Sequence, residues 1–97
     1  MGILITLEVK VKSETKNDLE AFLKEILPDT RSYEGNQGLD VYFDIEEKDV
    51  MVLVEKWQSS EHYHKYHEWR VSTCTLDKLR TFFAGKPRRR FLELADV

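Results

Sequence analysis

The 97-residue chain has a single cysteine, two prolines, four glycines and no long apolar run. Cys74 has no partner for an internal disulfide, so a stapled extracellular scaffold is excluded and a reducing compartment is expected. Few glycines and prolines, against 41% hydrophobic and 34% charged residues, exclude fibrous and disordered classes. The longest apolar run, Val50 to Val54, is far below the ~18 residues of a membrane span. No basic leader with a small-residue cleavage site is legible. The expectation is a cytoplasmic protein with no membrane partner.

Basic charge is also short. The net charge is -3, and phosphate neutralisation needs a basic surface, so no nucleic-acid partner is expected. The charge is uneven: residues 1–50 hold 6 basic and 12 acidic side chains, whereas residues 51–97 hold 9 and 6. The length allows one domain over 1–97. A chain this small buries only roughly 60 to 65% of its unfolded surface, which makes a second subunit useful.

What is present is periodic. Ile3, Ile5, Leu7, Val9 and Val11 alternate with Leu4, Thr6, Glu8 and Lys10, a strand with one buried face. Leu19, Phe22, Leu23, Ile26 and Leu27 form one helical stripe, which Ser13 or Thr15 starts and Pro28 is expected to end. Asp29 to Gly38 reads as a turn. Leu39, Val41, Phe43 and Ile45 give a second strand, Glu46 to Asp49 a hairpin loop, and Val50 to Trp57 a third strand that is apolar on both faces. Ser59 or Ser60 caps a helix whose inner arc carries Tyr63, Tyr66 and Arg70. A further helix is expected from Thr73 to Ala84, closing at Gly85, with a last strand from Arg88 to Leu94.

This order is the split βαβ pattern of an α+β, ferredoxin-like antiparallel sheet with helices on one face. Val50, Val52 and Val54 face opposite to Met51, Leu53 and Trp57, and one layer of helices cannot cover both rows. The bare face predicts a homodimer in which two sheets cover each other. The second and last strands are then the sheet edges, one acidic and one carrying Arg88, Arg89 and Arg90. These edges are expected to meet across the dimer.

The segments YEGNQGLDVYFD, VMVLVEKW and SSEHYHKYHEWR, between Tyr33 and Arg70, resemble the antibiotic biosynthesis monooxygenase family. The tail GKPRRRF, from Gly85 to Phe91, is similar to the ending of one bacterial branch. The resemblance implies a dimeric α/β barrel with a small-molecule cavity between sheet and helices. It also implies several possible chemistries: oxygenation of aromatic compounds without metal or flavin, isomerisation of small metabolites, and heme degradation. Many members of the family carry a His nine positions after the strand Trp. Here that place is Tyr66, with His67 beside it. The heme-degrading branch has Trp at that place and His ten residues on, where this chain has Tyr66 and Leu76. Heme degradation is therefore not expected.

A neutral imidazole at His67 suits removal of a phenolic proton, which would make an anion able to reduce oxygen. The competing reading is a half-buried histidine bonded to solvent or to a carbonyl. Trp57, Tyr63, Tyr66 and Trp69 suit either an aromatic wall for a planar ligand or core packing. Asn36 and Arg70 are candidate binders of a carbonyl or an anion, and Arg70 alternatively pairs with a carboxylate such as Glu55. His62, His64 and His67 do not converge on one helix face, so no metal is expected. No cofactor is expected either. The leading expectation is a cofactor-independent monooxygenase for a small aromatic or quinol-like compound. The alternatives are a non-catalytic ligand-binding or stress-response barrel protein and a small-metabolite isomerase.

Overall fold

The computed structural model describes residues 2–97. Alternation makes β1 (Ile3–Lys10), β2 (Asn36–Phe43), β3 (Val50–Trp57) and β4 (Arg88–Glu93), which form one sheet in the order β2-β3-β1-β4. All three pairings are antiparallel. Three helices, α1 (Lys16–Ser32), α2 (Ser60–Ser72) and α3 (Thr75–Arg80), complete the α+β ferredoxin-like fold. As the ferredoxin-like topology implies, β2 and β4 are the edges.

The stripe of α1 places Leu19, Phe22, Leu23 and Leu27 on the sheet, against Leu7, Val9, Met51 and Leu53. Burying each such side chain contributes on the order of 1.5–3 kcal/mol. The row facing the other way carries no helix. There Val50, Val52 and Val54 stay half-buried, while Tyr42 and Leu92 are exposed. Among the described residues no helix is long and apolar enough to cross a membrane.

Three local expectations need correction. Pro28 lies inside α1, which continues to Ser32. A proline removes the bond to the carbonyl four residues earlier, here that of Lys24, and its ring crowds that carbonyl. Both Pro28 and Lys24 are exposed, so the carbonyl can tilt outward toward solvent. The extra turn carries Thr30, which is wholly buried. The turn from Asp29 to Gly38 therefore shrinks to residues 33–35, and β2 starts at Asn36 and stops at Phe43, leaving Ile45 89% exposed. Gly35 makes this tight connection with φ of +89°, and a Cβ there would collide with the His62 imidazole.

The third correction concerns α3, which is shorter than the span from Thr73 to Ala84. Cys74, at φ of 60°, separates it from α2. Beyond it, Phe83 bridges Val11, and the Ala84 N–H donates to the Lys10 carbonyl at 2.7 Å. That stretch extends the sheet instead of the helix.

Candidate functional site

Helix α2 begins where its sequence places the cap: the Ser59 hydroxyl accepts from the His62 N–H at 3.2 Å. This start sets the phase that turns Tyr63, Tyr66, His67 and Arg70 toward the sheet. Together with Glu55 from β3 and the exposed Arg89 from β4 they form the polar side of a partly closed cavity of about 50 Å³ beneath the helices. Leucines from α1, α3 and the sheet form its other side.

At one end of the cavity lies a hydrogen-bonded knot. Tyr66 Oη and Thr30 Oγ1 are 2.8 Å apart, and Arg70 Nε donates to Tyr66 Oη at 2.9 Å. Arg70 Nη2 donates to the Ile26 carbonyl at 2.6 Å and to Thr30 Oγ1 at 2.7 Å. Its guanidinium also lies 4.6 Å from the Trp69 ring centre. Burial pushes the Tyr66 phenol above its ordinary pKa, although its bonds to Thr30 and Arg70 oppose this. The pairing of Arg70 with Glu55 is not formed. Glu55 Oε1 instead accepts from Trp57 Nε1 at 3.0 Å.

On the β4 side, the exposed Arg89 guanidinium lies 5.8 Å from the centre of the Tyr63 ring. Burial raises the Tyr63 phenol to about 12, with Arg89 acting in the opposite direction. Burial also raises the Glu55 carboxyl, against the Trp57 N–H and Arg89. His67 shifts down, first through burial and then through the cationic neighbourhood of Arg89. Its imidazole is therefore neutral at pH 7 and free to accept a proton.

Of the ligand-binding candidates, the structure brings Tyr63, Tyr66 and Arg70 to this cavity beside His67, and places the other three elsewhere. Trp57 is wholly buried beneath, packed on Tyr63 and Tyr66 at centroid distances of 5.8 and 5.0 Å. Trp69 stacks on Tyr33 at 5.3 Å in an open surface groove between α1 and α2. Asn36 is used at the start of β2, where its Oδ1 accepts from the Gly38 N–H at 2.8 Å.

Glu55 and Arg89 were not singled out as cavity residues by the sequence, yet both carried a signal. Glu55 is in phase with Met51, Leu53 and Trp57, a lone acid in an inward apolar row. Arg89 pairs in register with inward Leu7, so it faces opposite to Arg88 and Arg90.

The family model described as antibiotic biosynthesis monooxygenase matches residues 2–70. The chain belongs to the antibiotic biosynthesis monooxygenase family. No curated protein matches it in sequence. Solved structures share the family fold at low identity. A conserved protein from Methanosarcina mazei Go1 is 15% identical with a TM-score of 0.88, over 96% of this chain and 92% of that one. Rv0793 from Mycobacterium tuberculosis is 14% identical with a TM-score of 0.86, over 100% and 98%. SnoaB, a cofactor-independent oxygenase from Streptomyces nogalater, is 7% identical with a TM-score of 0.85, over 99% and 95%.

Proposed function

We propose that this family member is a cofactor-independent monooxygenase that oxidises a small phenolic or quinol-like compound in this cavity. The observation that carries this reading is the placing of the His67 imidazole on a partly closed cavity that Arg70 and Arg89 also line. The family membership and the fold shared with a cofactor-independent oxygenase support it.

His67 takes the phenolic proton, and the electron-rich anion passes one electron to O2. Recombination forms a carbon–oxygen bond at a ring carbon bearing hydrogen, giving a peroxide anion that takes the proton from His67 and becomes a hydroperoxide. His67 then removes the hydrogen of that carbon as a proton while the O–O bond breaks, and the departing hydroxide takes this proton, leaving a quinone and water. One oxygen atom enters the product and one leaves as water. Arg89 steadies the negative charge while it develops.

The cavity is smaller than the ~150 Å³ that encloses benzene, so ring entry requires outward displacement of its walls. Helix α3, the shortest of the α-helices at six residues, contributes Leu76 and Leu79 to the lining and is the wall we expect to move. The same small volume favours the second reading, a barrel that binds a ligand without turnover. The assembly is a homodimer built on the bare sheet face, where Arg88 and Arg90 on one edge meet Asp40 on the other. Sedimentation is expected to show a dimer that changing both arginines to Glu weakens.

Oxygen uptake with a panel of phenols and quinols tests the chemistry. His67→Ala should lower turnover by about 10²–10⁴-fold, as loss of a general base does. In the active protein the acid limb of the pH profile should fall below the ordinary histidine value of 6.5. Uptake that survives His67→Ala unchanged removes the base assignment, and saturable binding with no uptake supports the second reading.

A further inference from the structure

Arg70 is 3% exposed, and no carboxylate neutralises it. Its partners, Tyr66 Oη, Thr30 Oγ1 and the Ile26 carbonyl, are all uncharged. The one salt bridge among the described residues joins Arg80 to Asp77 at the surface. A buried cation without a counter-charge is costly, and its hydrogen bonds to neutral acceptors recover only part of the lost hydration.

The guanidinium is also incompletely used. Nε and Nη2 donate, whereas Nη1 has no acceptor among the described residues. Among the described residues the side-chain polar atom sealed away without a partner is Asn36 Nδ2, so Nη1 is not fully sealed. Arg70 is one of the residues that line the cavity. Arg89 adds a second guanidinium to the same lining. The one acid in the lining, Glu55, has an oxygen occupied by Trp57, and burial raises its carboxyl against the pull of Arg89.

We propose that the cavity selects a small ligand bearing a carboxylate or phosphoryl oxyanion, which pairs with Arg70 Nη1 and the Arg89 guanidinium. The two planar donor forks suit an oxyanion better than a neutral carbonyl, because each N–H then makes a charge-assisted bond. The ligand supplies the counter-charge that the fold withholds from Arg70. This inference rests on the cavity being the substrate site, and it is read by binding without turnover, so its failure leaves an oxygenase for neutral phenols standing.

Calorimetric titration of the intact protein at pH 7.5 with benzoate, phenyl phosphate and the neutral isostere benzamide tests it. At least one anion should bind about tenfold or more tightly than benzamide, the loss expected when a charge-assisted bond becomes neutral. The tighter of the two anions identifies the head group. Arg70→Gln and Arg89→Gln should each weaken that anion by about tenfold and leave benzamide unchanged. Should Arg70→Gln fail to fold, Arg89→Gln on the edge strand decides. Equal affinity for benzamide, no binding of either anion, or full anion affinity in Arg89→Gln overturns the proposal.

Discussion

The layer between sheet and helices has two ends of different chemistry. Beneath α1 it is aliphatic: Leu19, Leu23 and Leu27 meet Leu7, Met51 and Leu53. Beneath α2 it is aromatic and polar, where Trp57 and Tyr63 pack with Ile5 and Tyr66 and Arg70 knots α2 to the last turn of α1. The strands β1 and β3 feed both ends, so the difference comes from the helices laid upon them. The aliphatic end holds through area and close packing, which are tolerant of detail. The polar end holds only while each buried group keeps its partner, which makes it selective and suited to a ligand.

Truncation should separate the two ends most clearly. Leu19→Ala removes a side chain that is wholly buried and leaves a hole in a layer that cannot collapse around it. A loss of about 2–5 kcal/mol is expected in urea unfolding. Ligand binding at the polar end should persist in the variant under conditions where it remains folded. If that single change abolished binding as well, the ends would not be independent.

Thr30→Val should act the other way round. It keeps shape and burial but removes the hydroxyl that meets Tyr66 and Arg70 at 2.8 and 2.7 Å. The expected cost is about 1–3 kcal/mol, from leaving a buried donor underused. Ligand affinity should fall with it, because the guanidinium loses its anchor. A near-neutral Thr30→Val in the same unfolding assay would show that the knot is redundant, and that α2 is held by its aromatic packing alone.

The order of elements was legible because alternation and the α1 stripe report burial directly, and the ferredoxin-like topology then set both sheet edges. The two apolar faces of β3 likewise pointed to a covered row and a bare one. The partners of Arg70 were not legible, and the reason is specific. Sequence offers Glu55 as the nearest opposite charge, but Trp57, two residues along on the same inward row, claims its carboxyl oxygen. The actual acceptors include Thr30, which sits in a turn of helix that Pro28 seemed to forbid. An exposed proline lets its orphaned carbonyl tilt outward toward solvent, and no local pattern distinguishes that case from a true stop. Arg89 was hidden for a related reason: three adjacent arginines look like one run until the register of β4 assigns the middle one to the helix-covered face, where it remains exposed.

The finest distinction between the ends lies in how the buried acid responds to pH. Burial raises the Glu55 carboxyl above the ordinary 4.5, with the Trp57 N–H and Arg89 in opposition. A raised folded value means that the native state binds this proton more tightly than the unfolded chain does. The stability it contributes is complete below the ordinary value and is lost as pH rises through the raised one. At alkaline pH the ionised carboxylate therefore burdens the fold. Glu55→Gln keeps the size and still accepts from Trp57 Nε1, but never ionises. It should raise the thermal midpoint at pH 8, and the gain should fade as the pH approaches 4. The aliphatic end contains no such group, so Leu19→Ala should shift the midpoint by a similar amount at both pH values. A Glu55→Gln variant that is less stable at pH 8 would mean that Arg89 outweighs burial. The polar end would then contain a true ion pair, and Arg89 would no longer be free for an anionic guest.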